Sequence, residues 1–148
     1  VRIDYASVLP AARTALLGIE KVIHHSDLDP RLVELLKIRA SQINGCARCL
    51  EMHTDNARAL GEDQHRLDLV AVWSEAGCFS EKERAALGWC ESVTRIADTG
   101  APDDVYDEVA KHFEPPQIVA LTLAVAAINT WNRMSIALRV PTSGGRDG

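Results

Sequence analysis

Apolar positions recur every three to four residues along most of the chain, and no stretch keeps a period-two alternation, so the pattern predicts helices and no strands. Leu32, Leu35, Leu36 and Ile43 form one such stripe, and Ala86, Trp89, Cys90 and Val93 another. The start signals agree with the stripes. Asp29 before Pro30 has the form of an N-cap followed by a first-turn proline, and Ser80 with Glu83 has the Ser-x-x-Glu spacing of a capping box. The runs APDD at 101–104 and EPPQ at 114–117 open two further segments, while Gly61, Gly77 and Gly100 are placed to end those before them. Predicted helices span 10–24, 31–43, 46–60, 64–76, 81–98, 103–112 and 116–138, an all-α compact bundle of about six to seven helices. The last is apolar nearly all round, which predicts burial in the bundle or at a subunit contact.

An internal echo adds to this layout. A shift of 85 positions lays residues 35–49 on residues 120–134, matching Ile43-Asn44 with Ile128-Asn129 and Arg48 with Arg133. The match reads either as a coincidence among common helix residues or as a helical unit used twice, the second time as a degenerate repeat within 116–138. That copy carries Trp131 and Met134 where the first has two cysteines, so only the first keeps their chemistry. With 148 residues, 47% of them hydrophobic, the chain reads as one domain with a sizeable core, a central motif at 30–61 and a short flexible tail at 141–148.

Charge narrows the partners. A net charge of −5 with scattered Lys and Arg gives no footprint for nucleic acid or an anionic membrane. The longest apolar run, 118–128, is interrupted by Thr122 and falls short of the roughly 18 to 20 residues a spanning helix needs. The first residues lack the basic start, apolar stretch and cleavage site of a secretory signal, so the expected location is the cytoplasm. In that reducing setting four cysteines do not read as a disulfide scaffold, and a CxxC pair is more often catalytic or metal-binding.

Cys46, Cys49 and His53 are that pair and an imidazole one turn on, a spacing that lines all three along one helical stripe. Positions three apart bring α-carbons near the roughly 4.4–6.8 Å a disulfide tolerates, so the pair can close with little backbone movement. An ordinary thiol, with a pKa of about 8.5, is only slightly ionised at neutral pH, and the thiolate is the attacking species. His53 is able to take and return that proton, and a break at Gly45 puts the pair in a helix's first turn, where free N–H groups favour an anion. Other readings of the same residues remain open. Buried cysteines often serve as small apolar side chains. Zinc would use Cys46, Cys49 and His53 with Cys78, Cys90 or His65 as a fourth ligand, yet no second CxxC or HxxxH closes the site, and no metal is expected. Leu50 stands where covalent haem attachment needs histidine, and a thioredoxin-type fold would need strands. His24, His25, His65 and His112 join no constellation; Trp73, Trp89 and Trp131 read as core or subunit contacts, and Cys78 and Cys90 as structural.

Residues 34–61, ELLKIRASQINGCARCLEMHTDNARALG, resemble the core of the alkylhydroperoxidase AhpD and carboxymuconolactone decarboxylase family. The pattern is a glutamate twelve residues before the first cysteine, a CxxC pair, and a histidine four residues after the second; Glu34, Cys46, Cys49 and His53 meet every term. The likeness extends over most of residues 20–140. It implies an all-helical protein that assembles as dimers, trimers or hexamers and reduces hydroperoxides without a cofactor. By the same resemblance Cys49 is attacked by peroxide, Cys46 resolves the sulfenic acid into a disulfide, Glu34 is the base and His53 the relay. A dithiol donor, lipoylated or thioredoxin-like, would then re-reduce the pair.

Two residues qualify the resemblance. AhpD carries a second histidine between the cysteines, and Arg48 stands there instead; a guanidinium stays charged and shuttles no proton, though it stabilises a nearby thiolate. Glu34, taken alone, reads as a solvated partner of Arg31 or Lys37. The alternatives to a peroxidase are a ligand-binding or redox-sensing helical oligomer, and a decarboxylase-like lyase, whose substrate-binding pattern is not evident in this chain.

Overall fold

A computed structural model of the chain describes residues 1–144. Among them are nine α-helices: α1 Tyr5–Val8, α2 Pro10–His24, α3 Pro30–Asn44, α4 Ala47–Ala59, α5 Gln64–Leu69, α6 Glu81–Thr94, α7 Ile96–Thr99, α8 Asp103–Ala110 and α9 Pro115–Leu138, with a 3-10 turn at Val70–Val72. No strand occurs among the described residues. No helix among them is long and apolar enough to cross a membrane.

The apolar stripe of α3 explains its central place. Leu35, Leu36 and Ile38 are fully buried, and the helix packs against α4, α6 and α9. Burying such side chains contributes about 1.5–3 kcal/mol each relative to leaving them in water. Leu87 of α6 and Leu121, Val125 and Ile128 of α9 complete the core, as the all-round apolar character of α9 requires. The caps lie where the sequence marks them. Asp29 Oδ1 accepts the Arg31 N–H at 2.9 Å, and Ser80 with Glu83 forms a reciprocal capping box. Glu114 with Gln117 does the same at the start of α9.

The helices depart from expectation at three places. The four-residue α1 is an added turn capped by Asp4, whose carboxylate accepts from Ser7. The helix expected over 64–76 ends at Leu69 and tightens into the 3-10 turn at Val70–Val72. Arg84 collects the carbonyls freed beyond this end, donating to Trp73 O, Ser74 O and Ala76 O. The helix expected over 81–98 breaks at Arg95, because the Thr99 hydroxyl donates to Ser92 O at 2.7 Å and occupies a carbonyl that a continuing helix would use. Of the tail, the Ser143 N–H donates to Glu51 Oε2 at 2.8 Å, and residues 145–148 lie outside the described residues.

The two stretches that the 85-residue shift aligns lie side by side. α3 and α9 begin at Pro30 and Pro115, the same offset as the sequence match, and they pack against each other. Asn44 and Asn129, which the shift superposes, meet directly, the Asn44 amide donating to Asn129 Oδ1 at 2.9 Å and to Asn132 Oδ1 at 2.9 Å. Asn132, fully buried, donates in turn to Ser41 Oγ at 3.0 Å.

Candidate active site

Gly45 creates the site's backbone. At φ 72° it occupies the left-handed region that an L side chain adopts at a cost, which ends α3 and turns the chain into α4. Cys46 thereby becomes the N-cap of α4 rather than its first helical residue. Its Sγ accepts the Cys49 N–H at 3.3 Å, a sulfur in the role usually taken by a Ser or Asp oxygen.

Both sulfurs are buried and all four cysteines are free thiols. Burial pushes the Cys46 thiol up to about 11, because the core disfavours a charge; hydrogen bonding and repulsion from Cys49 add to it, while the Cys49 N–H and the Ser135 hydroxyl pull the other way. Cys46 therefore holds its proton at neutral pH. Cys49 Sγ lies 3.7 Å from Ser135 Oγ, which approaches from α9.

One turn beyond Cys49, His53 is buried, and its Nδ1 lies 2.7 Å from Glu34 Oε2. Glu34 reaches it from α3 with a side chain only 13% exposed. The solvated reading of Glu34 does not hold: Lys37 pairs instead with Glu20 at 2.5 Å, and Arg31 with Asp29 at 3.9 Å. With Nδ1–H donated to the carboxylate, the ring leaves Nε2 as an acceptor. That atom is a buried side-chain nitrogen without a hydrogen-bond partner among the described residues. A buried acceptor without a partner costs about 1–3 kcal/mol, so packing alone does not account for its place.

Cys49, His53, Glu34 and Ser135 line one cavity of about 700 Å³, together with Arg48 and Trp131. Arg48 Nη1 lies 3.4 Å from Glu51 Oε2, so its charge is partly compensated. Two features of this wall have no mark in the sequence. Ser135 is one hydroxyl on an apolar helix, 86 residues from Cys49. Trp131, read as a core or subunit contact, packs against the core and also lines the cavity, donating its indole N–H to Glu20 Oε1 at 3.0 Å. The remaining candidates lie elsewhere. Cys90 is fully buried, its thiol donating to Leu36 O at 3.3 Å and pushed up to about 12 by burial, and Cys78 packs half-buried against the core. No three His, Cys, Asp or Glu side chains converge as metal ligands among the described residues.

A helical bundle with a vicinal thiol pair at a helix start, backed by a buried His–Glu pair, defines an AhpD-like protein. The chain belongs to the carboxymuconolactone decarboxylase family, whose model matches residues 9–92. It is 39% identical to the uncharacterized protein YdfG of Bacillus subtilis (strain 168) over 93% of each chain. A solved structure of a protein of unknown function from Agrobacterium tumefaciens, described as a candidate AhpD antioxidant defence protein, superposes with a TM-score of 0.94 at 42% identity, covering 97% of this chain and 99% of that one. An uncharacterized peroxidase-related protein from Ralstonia eutropha JMP134, with an AhpD core, matches at TM-score 0.83 and 17% identity over 94% of this chain and 74% of its own, a likeness of fold alone.

Proposed function

We propose that the protein is a thiol-dependent peroxidase in which Cys49 attacks a hydroperoxide and Cys46 resolves the product. The observation that carries this reading is the buried His53–Glu34 hydrogen bond, which orients the ring with Nε2 as the unpartnered atom of a residue that lines the same cavity as Cys49. Cys49 and His53 are four apart on α4 and share a face, so the imidazole takes the Cys49 proton directly or through one water. The carboxylate fixes the tautomer and stabilises the imidazolium that forms, and Glu34 thus acts through His53 rather than on sulfur.

The Cys49 thiolate attacks the distal peroxide oxygen, the O–O bond breaks, and the leaving alkoxide takes the imidazolium proton to depart as an alcohol. Cys49 is then a sulfenic acid. Cys46, held protonated by burial, gives up its proton as its sulfur attacks Cys49 Sγ, and water leaves as the disulfide forms. A dithiol donor, lipoylated or thioredoxin-like, returns two electrons by exchange.

Stopped-flow reduction of an organic hydroperoxide tests the assignment. Cys49→Ser is expected to abolish the reaction, while Cys46→Ser retains one turnover and accumulates a sulfenic acid that a dione probe traps. Indifference to both substitutions would reject the proposal in favour of a ligand-binding or sensing role.

A further inference from the structure

The cavity is larger and more basic than a small peroxide requires. About 700 Å³ lies within the range of sites that enclose organic ligands. Its walls include Leu17, Ile23, Leu28, Val33 and Met52, which suit an apolar body. Its charged lining runs against the molecule as a whole. In a chain of net charge −5, four cations, Arg13, Lys21, Lys37 and Arg48, face it against two acids, Glu20 and Glu34. Lys37 and Arg48 are compensated by Glu20 and Glu51. Arg13 and Lys21 have no carboxylate within salt-bridge distance among the described residues.

These two cations stand on one face of α2, with Leu17 midway between them. Eight helical residues place them about 12 Å apart along the axis. Both are exposed, whereas Cys49 and His53 are buried. The cavity therefore has a positive mouth, apolar walls and a reactive floor. We infer that its ligand is an amphipathic carboxylate, and that the substrate is the hydroperoxide of an apolar carboxylic acid, its anionic head held at Arg13 and Lys21 with the peroxide group at Cys49. The peroxide end of this assignment rests on the peroxidase reading; the carboxylate end rests on the α2 cations.

A binding measurement that needs no thiol chemistry separates the two. Trp131 faces the cavity, so its fluorescence reports occupancy. The full-length reduced protein is titrated with a long-chain fatty acid below its micellar concentration and with the methyl ester of the same acid. The acid is expected to bind more tightly than the ester, and Arg13→Gln with Lys21→Gln to reduce that preference by about fivefold or more, with rising salt acting in the same direction. The KM for the hydroperoxide of the acid is expected to rise by the same factor in the double variant. Equal binding of acid and ester, no binding of the acid, or an unchanged preference in the double variant would overturn the inference. Binding with the expected preference alongside thiols inert to every peroxide would retain the carboxylate site and reject the peroxidase.

Discussion

Replacing Glu34 with glutamine is the sharpest probe of the site, because it keeps the shape of the side chain and removes the charge. The bond it alters is 2.7 Å long and largely buried, with His53 and Glu34 side chains 6% and 13% exposed. A hydrogen bond to a charged group contributes about 1.5–3 kcal/mol. Its neutral replacement loses that share only when His53 becomes imidazolium, the state reached once Cys49 has given up its proton. At about 1.4 kcal/mol per decade, the predicted loss is about 10- to 100-fold in the rate at which Cys49 is trapped as thiolate. The assay is the second-order rate of iodoacetamide alkylation at pH 7 in a Cys46→Ser background, with thermal unfolding as the control for folding. Glu34→Asp, which restores the charge on a shorter arm, is expected to recover part of the rate. A Glu34→Gln rate within about twofold of its parent would refute the reasoning, since the carboxylate would then contribute nothing to the ionised state.

Other outcomes follow from the same geometry. Because burial pushes Cys46 up from 9.0 to about 11, it is expected to hold about a hundredfold less thiolate than an unperturbed cysteine, and mass spectrometry of partly alkylated native protein should find Cys46 modified last of the pair. Cys90, pushed from 9.0 to about 12, ionises more readily unfolded than folded, so its contribution to stability is intact below pH 9 and is lost as pH rises toward 12. Denaturant unfolding across that window should show wild type losing up to about 1.4 kcal/mol per pH unit more than Cys90→Ala, and parallel curves would contradict it. Asn132→Ala removes one of the two acceptors of the Asn44 amide and the donor to Ser41, while Asn44 keeps Asn129 Oδ1 and Ser41 keeps Lys37 O, and is expected to cost about 1–3 kcal/mol in chemical denaturation, each lost bond contributing about 0.5–1.5.

Helix starts were legible because a cap is a local event: Asp29, Ser80 and Glu114 satisfy N–H groups two or three residues on, with partners in the adjacent sequence. Helix ends at Leu69 and Thr94 were not, because they are set by side chains from elsewhere, Arg84 returning over Trp73 to Ala76 and Thr99 over Ser92. The same division runs through the site. Cys46, Cys49 and His53 lie within eight residues of Gly45 and announce their shared face by spacing. Glu34 needed a family pattern to rank it above a solvated glutamate, since its partner His53 sits on another helix. Ser135 and the Glu20–Lys37–Trp131 set are pairings across 86, 17 and 111 positions and leave no periodic trace.

Laying residues 35–49 on the stretch of α9 that the 85-residue shift aligns with them isolates what makes the CxxC motif distinctive. Gly45 stops α3, so the thiol pair opens a new helix, one sulfur capping the backbone and the other at the third helical position. In the aligned stretch no break occurs, and the corresponding residues, Trp131 and Met134, lie inside the continuous α9. Interior residues have their N–H groups committed to the helix, so a cysteine pair placed there would lack the unpaired donors that favour a thiolate. The α9 stretch instead packs around the pair. Asn129 and Asn132 take the amide of Asn44 just before the break, Trp131 walls the cavity, and Ser135 sets its hydroxyl beside Cys49. The helix end supplied by Gly45, more than the CxxC spacing, is the feature that sets this thiol pair at the start of a helix, where N–H groups are unpaired.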